Sequence, residues 1–305
     1  MSNFDVRIGI NPISWSNDDL PELGGETPLE TALSEGAEIG YAGFELGNKF
    51  PKEPEALRAK LAEYGVACVS GWYSGRLAEG SVEAEIAGVQ SHVKKLVHNG
   101  CQVMVYGEVA SSIQGDRSQA LSRRPRFASA ALWEAYGRRL TEFGTWLKSQ
   151  GITLAYHHHM GAYCETPQDT DTLMAVTGPE VGLLFDTGHM TFAGGDPLTE
   201  LRKHVARVVH VHCKDVRAAV MQQARNQGWS FLDSVINGVF TVPGDGMIAF
   251  APILQTLADH GYRGWLVVEA EQDPAVAPSY EYARMGYQHL RGLVDAIDAR
   301  GAAAR

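Results

Sequence analysis

Three consecutive histidines, His157, His158 and His159, close an apolar run in "LAYHHHMGAYCET". Imidazole titrates near neutral pH, binds divalent metals through either ring nitrogen and moves protons without much tuning. Taken alone, the run is open to three readings: a surface accident, satisfied polar groups at a strand end, or part of a metal or acid/base site. Residues of the same chemistry recur in comparable settings. Asp186 and His189 stand in "LLFDTGHM", His210 and His212 in "VVHVHCKD", Glu269 and Glu271 in "LVVEAEQD", Glu45 in "GFELG" and Glu108 in "VMVYGEV". Alternate residues of a pleated strand share a face, so His157 pairs with His159, His210 with His212 and Glu269 with Glu271, while His158 points outward as a structural residue. Buried charge without a partner costs several kcal/mol, so a fold that gathers these groups needs a compensating cation. Two carboxylates with one or two imidazoles match Mn²⁺, Co²⁺ or Zn²⁺. The lack of a thiolate argues against a structural zinc, and Cys213 is out of phase with His212.

The elements that must position these residues alternate along the chain. Strand-like runs fall at 6–10, 43–45, 67–71, 102–106, 153–157, 181–186, 208–212 and 266–269. Helical patterns fall near 28–39, 53–64, 81–99, 126–150, 197–204, 251–260 and 279–299. Over 81–99 the residues Val82, Ile86, Val89, Val93 and Leu96 step by four and three, and Asn99-Gly100 supplies a stop. Eight strands alternating with helices predict an α/β chain folded as a (β/α)8 TIM barrel, with its chemistry at the C-terminal strand ends. An open doubly wound sheet is the alternative. It usually carries a glycine-rich turn after its first strand, where this chain has "INPISWSNDD". The organisation predicted is one domain over 1–305. A long connection after strand seven, at about 216–250, is expected to act as a lid.

With 305 residues, 45% hydrophobic and 20% charged, the chain has the balance of a soluble globule, and its net charge of −10 opposes nucleic-acid and anionic-membrane binding. The four cysteines form no C-x-x-C pair, and no secretory pattern or membrane-spanning run is present, so a cytoplasmic location is expected.

The strand ends "FDTGH", "VHVHCKD" and "VVEAE" resemble those of the xylose-isomerase-like barrels. Within that superfamily the sequence looks like the inosose dehydratase family of inositol catabolism. "NPISWSNDD", "HHHMG" and "FTVPGDG" are its most specific matches, and the matching stretches cover nearly the whole chain. The resemblance implies a hydro-lyase that removes water from 2-keto-myo-inositol (scyllo-inosose), giving a trihydroxycyclohexane-1,2-dione through a metal-stabilised enediolate. It implies Mn²⁺ or Co²⁺, with Zn²⁺ also matching the donors, and glutathione as a further cofactor. Carried over, the metal ligands are Asp186, His212 and Glu269. The superfamily's usual strand-five Glu is His157 here, so His157, His159 or a water is left to complete the set. His157 is then a ligand or a substrate contact, His159 an acid/base group, and Glu269 a base as well as a ligand. His189 hydrogen-bonds substrate or orients a carboxylate. Asn11, Trp15, Glu45 and Glu108 are expected to shape the polyol pocket. Lys214 and Arg217 either hold a substrate hydroxyl or pair with Asp215 at the surface. The partner implied is a small cyclitol ketone, and a homo-oligomer paired through exposed helices is compatible with such barrels. Rival readings are a sugar or cyclitol isomerase or epimerase on the same metal site, a phosphodiester hydrolase and a non-catalytic sugar-binding protein. Strand-five histidines in place of Glu favour elimination over epimerisation.

Overall fold

The structure is a computed structural model that describes residues 4–303; Met1–Asn3 and Ala304–Arg305, the ends of the expected domain, lie outside the described residues. Ten strands follow in order: β1 (Val6–Ile10), β2 (Gly43–Leu46), β3 (Ala67–Gly75), β4 (Val103–Glu108), β5 (Thr153–His157), β6 (Val181–Asp186), β7 (Val208–Cys213), β8 (Asp215–Val216), β9 (Phe240–Thr241) and β10 (Gly264–Val268). Eight of them close a parallel barrel in the order β1-β10-β7-β6-β5-β4-β3-β2. The fold is the expected TIM barrel.

The expected helices appear with small shifts, as Leu29–Ile39, Pro54–Glu63, Val82–His98, Ala130–Ser149, Pro197–His204, Phe250–Asp259 and Ser279–Ala303. Four more were not expected, two of them inside the long connection. Pro167–Val176 is opened by a reciprocal cap between Thr166 and Asp169 with Pro167 in its first turn, a signal legible in "TPQD". Thr187–Phe192 is too short to show a period. Residues 216–250 fold into the helices Ala218–Gln227 and Phe231–Ile236, and β8 and β9 pair antiparallel at their base. No helix among the described residues is long and apolar enough to cross a membrane.

Inside the barrel the side chains lie in layers. Trp265 fills the N-terminal end with Val69 and Val267, under the Arg7 guanidinium 3.9 Å from its ring. Val103, Val105, Ala155 and Leu184 form the middle, with Trp72 and Val209 against them. At the β6–β7 pair the register slips from Leu183–Val208 to Leu184–His210. This irregularity lets Val209 reach the apolar interior while His210 and His212 also turn inward, toward Glu45.

Gly43 lies where β2 passes Trp265. A Cβ there would sit 2.7 Å from the Ala67 carbonyl oxygen and 2.8 Å from the indole. Backbone cannot yield to such overlap. Gly43→Ala is therefore expected to lower stability by roughly 1–3 kcal/mol in chemical denaturation; an unchanged midpoint would mean that the barrel floor is loosely packed.

Candidate active site

The C-terminal mouth of the barrel brings together side chains from β2, β5, β6, β7 and β10. Asp186 ends β6 and also caps the helix Thr187–Phe192, its Oδ1 accepting the His189 N–H at 2.7 Å. Its Oδ2 is left free and faces His157 Nε2 and His212 Nδ1, each at 3.5 Å. The fit of "FDTGH" to this corner is tight. Thr187 Oγ1 donates to the Lys214 carbonyl at 2.7 Å, and a Cβ on Gly188 would meet the Lys214 side chain at 2.5 Å.

Each histidine of the cluster has one ring nitrogen occupied on the far side. His157 Nδ1 bonds the His158 carbonyl at 2.6 Å, which puts its proton there and leaves the Nε2 lone pair facing inward. His212 Nε2 bonds Glu45 at 3.1 Å, so Nδ1 faces inward against Glu269 Oε2. The donor atoms of His157, Asp186, His212 and Glu269 all lie within 4.8 Å of one another. Asp186 Oδ2, His212 Nδ1 and Glu269 Oε2 are buried without a hydrogen bond of ordinary geometry, the last two pressed directly against one another. Buried polar atoms are ordinarily paired, so three that lack such a bond and converge on a point fit a divalent cation.

Charge is dense around this point. Burial alone would raise the Asp186 carboxyl, but Lys214 and His189 hold it well below the usual range. Burial likewise opposes ionisation of Glu269, which His212 and Lys214 bring down to about 2. For His212 the Glu269 and Glu45 carboxylates outweigh burial and hold the ring well above its ordinary value. Lys214 is fully buried, with Nζ 3.1 Å from Glu269, 2.9 Å from Glu271 and 3.1 Å from His189 Nε2. It contacts Asp186, Glu269 and Glu271 and does not pair with Asp215.

A second cluster adjoins the first. His159 and His189 lie with ring centroids 4.0 Å apart, and with Glu271 they form another set of close donors. His159 Nδ1 bonds the Met160 carbonyl at 2.8 Å, leaving Nε2 free. Burial first, with the Lys214 ammonium among the lesser causes, pushes His159 well below its ordinary value, and burial likewise lowers His189. Both rings are neutral at pH 7. Phe231 and Phe240, from the long connection, pack on the His189 ring at 5.7 and 5.3 Å. His158 points to the opposite face, against Phe185, and its Nε2 accepts the Asp186 N–H at 3.3 Å.

A cavity of about 490 Å³ opens above these residues, within the range of small-molecule sites. Asn11, His157, His159 and Glu269 line it, as do Trp72, Asp19 and Glu271, to which sequence reasoning assigned no role. Trp72 lies one residue beyond the expected end of β3. Its ring covers Gly107, where a Cβ would lie 1.9 Å from the indole, and it meets the His157 and His159 rings at 5.6 and 5.8 Å. Glu271 was visible through its shared phase with Glu269.

Four expected pocket residues lie elsewhere. Trp15 is buried in the core, its indole N–H donating to Glu35 at 2.6 Å. Glu45 spends its carboxylate on His210, His212 and Asn11, and so acts on the cluster from behind. Glu108 lies on the outer face of β4, accepting from the Ala78 and Ala110 N–H groups and the Tyr106 hydroxyl. Arg217 turns away from the cavity to bond the Gly238 and Phe240 carbonyls and Asp245. Beside it, Asp215 accepts N–H groups from Gly244, Gly246 and Ile248, so the stretches "HCKDVR" and "FTVPGDG" are two halves of one anchor for the long connection.

The chain belongs to the xylose isomerase-like TIM barrel family, whose model matches residues 33–293. Among curated relatives, it is 49% identical to "Rhizopine catabolism protein MocC" of Rhizobium meliloti over 98% of this chain and 92% of that protein. It is 43% identical to the inosose dehydratase of Geobacillus thermodenitrificans, over 94% and 96%. It is 41% identical to that of Mesomycoplasma hyopneumoniae, over 95% and 97%. The likeness to inosose dehydratases drawn from the motifs thus extends over nearly the whole chain. Of solved structures, the probable 3-DHS dehydratase AsbF of Bacillus anthracis superposes with a TM-score of 0.68 at 13% identity, covering 94% of this chain and 99% of that one. An L-ribulose 3-epimerase superposes with a TM-score of 0.65 at 16% identity, covering 98% of each. Those two share the fold.

Burial pushes the Glu108 carboxyl up to about 7. A carboxyl raised on folding stabilises the fold most below its unfolded value, near 4.5, and that contribution is lost as pH rises through 7. Wild-type stability is expected to fall by about 1 kcal/mol between pH 6 and 8 through this group. In Glu108→Gln, denaturant titrations at the two pH values should lose that difference; an equal slope in both proteins would remove Glu108 as its source.

Proposed function

We propose that this chain is a cytoplasmic, metal-dependent hydro-lyase that dehydrates 2-keto-myo-inositol (scyllo-inosose) to a trihydroxycyclohexane-1,2-dione through an enediolate. The observation that carries the reading is the convergence of unpaired Asp186, His212 and Glu269 atoms with His157 Nε2 beside a neutral imidazole pair. Dehydratase activity is further supported by full-length relatives named inosose dehydratase.

Dehydration beside a ketone removes a proton from the neighbouring carbon and expels hydroxide from the next one. A divalent cation held by His157, Asp186, His212 and Glu269 would supply Lewis-acid polarisation of the ketone and its neighbouring hydroxyl. The chain's own groups handle the protons. His159 presents a free Nε2 lone pair to the cavity and is neutral, so it can take the proton from carbon. As imidazolium it then holds the proton that the departing hydroxide needs, so the proton leaves as part of water and the ring returns to neutral. The enol left behind rearranges to the dione. Lys214 donates to Glu269 and Glu271 and keeps both carboxylates oriented. Phe231 and Phe240 close the His189 side with apolar surface, which is the lid role proposed for 216–250. An isomerase on the same donors would return the proton to carbon; a strand-five imidazole in place of a carboxylate favours delivery to oxygen.

An ultraviolet assay for dione formation from inosose tests the reading. Chelation should abolish activity, and Mn²⁺ or Co²⁺ should restore it. His159→Asn should lower kcat by several orders of magnitude while metal content stays near wild type. Retained turnover in His159→Asn would sink the assigned role, and full activity after metal removal would sink the metal. Parallel assays with added glutathione read whether that thiol contributes. Because Glu45 orients His212 from behind, Glu45→Gln is expected to weaken metal affinity about 10–100-fold. Competition with a chelating dye measures it, and unchanged affinity would leave Glu45 a bystander.

A further inference from the structure

The same cavity runs outward from the donor cluster to two basic groups that the proposed chemistry does not use. Lys52 precedes the helix Pro54–Glu63 and Lys95 lies on the helix Val82–His98; both line the cavity, together with His92 and Asn48. Among the described residues Lys49, Lys52, Lys94, Lys95 and Lys148 have no carboxylate partner, and of these Lys52 and Lys95 are the two that line this cavity, whereas the other three lysines are paired with carboxylates. Lys60 meets Glu30 and Glu63, Lys203 meets Asp171 and Glu200, and Lys214 meets Glu269 and Glu271. By contrast, Lys52 Nζ donates to the Asn48 carbonyl at 3.0 Å and no carboxylate pairs with it among the described residues. Among those residues the Lys95 ammonium has neither a hydrogen-bond nor an ion-pair partner. Asp18 and Asp19 line the cavity as well, but Asp18 Oδ2 is taken by the Asn48 N–H at 2.8 Å, and neither forms an ion pair with the lysines.

Lys95 is half-buried, and its ammonium is held below its ordinary value by burial first and by the Lys52 charge second. The two cations therefore feel each other across the cavity. His92 adds no charge: its Nε2 bonds the Gly71 carbonyl at 3.2 Å, and burial takes the ring down to about 4. In a chain of net charge −10, two neighbouring ammonium groups left without a carboxylate define a place where an anion gains from both. Space permits one. A cyclitol ketone has six carbons and six oxygens, and even at a water's share of roughly 30 Å³ per atom it leaves part of the 490 Å³ empty.

We propose that Lys52 and Lys95 form an anion subsite at the mouth of the substrate cavity, which takes a phosphate or carboxylate group. The anion is either tethered to the polyol or bound beside it. The subsite follows from the lysines and the cavity; only the identity of the neighbouring polyol rests on the function proposed above.

Titration calorimetry on the metal-loaded protein at low ionic strength tests it, with inorganic phosphate, myo-inositol and a myo-inositol monophosphate as probes. Wild type should bind phosphate. The double variant Lys52→Met with Lys95→Met should bind it about tenfold more weakly or worse, with its affinity for myo-inositol unchanged. Both positions are at least partly exposed, so the variant should fold, and circular dichroism checks that it does. A monophosphate binding more tightly than inorganic phosphate would identify a tethered anion, and equal affinities an accompanying one. Phosphate affinity equal in wild type and double variant would overturn the proposal. So would its loss in Asp186→Asn with retention in the lysine variant, which would place the anion at the donor cluster, or no phosphate binding at all. Lysine-dependent phosphate binding without any binding of myo-inositol would instead sink the cyclitol reading and leave the subsite standing.

Discussion

Negative charge buried at one end of a closed ring of strands is the constraint around which this molecule is arranged. Glu45, Asp186, Glu269 and Glu271 are all withdrawn from water, and Lys214 is the one lysine among them, reaching three of the four. Desolvating that many carboxylates costs more than one ammonium returns, so the remaining compensation must come from protons on imidazole or from a cation. Oxygens and nitrogens that can be satisfied by the protein are satisfied. Among those that are not, Asp186 Oδ2, His212 Nδ1 and Glu269 Oε2 point at one another.

That division of labour explains how the elements are joined. Asp186 uses one oxygen to start a helix and leaves the other to the cluster. His157 and His212 each spend one ring nitrogen on the protein, which settles the tautomer and aims the other nitrogen inward. Glu45 contributes without lining the cavity, because its carboxylate is committed to His210, His212 and Asn11. The long connection after β7 is held by Asp215 and Arg217 at its base, and its Phe231 and Phe240 reach back over His189. A small displacement anywhere in this set would strand a buried charge, which is why the cluster sits on strand ends and strand-adjacent helix caps.

The electrostatic consequence is a division between the two imidazole groups. His212, pressed against two carboxylates, attracts positive charge. His159 and His189, beside Lys214 and shielded from water, are kept neutral. Neutral rings a few ångströms from a cation-attracting centre are placed to accept a proton rather than to hold one.

The sequence by itself determined the number and order of the barrel strands, the strand that carries each polar residue, and the relative phase of residues along one strand. Strand length, helical period and alternation are local properties, and they placed His157, His159, Asp186, His212 and Glu269 correctly with respect to their own neighbours. Tertiary structure decided which face of each strand looks inward. In a parallel barrel both faces are buried, one by the interior and one by the helices, so the apolar pattern carries no mark of which is which. Glu108 ends a barrel strand as Asp186 does, yet it faces the helices, among tyrosines. Trp15 and Arg217 were misplaced for a related reason: an indole and a guanidinium suit a polyol pocket, but their partners, Glu35 and the 238–245 turn, lie 20 and more residues away in sequence. Trp72 escaped notice because its strand runs on past the expected end, and only closure of the barrel brings its ring over Gly107 and beside the histidines.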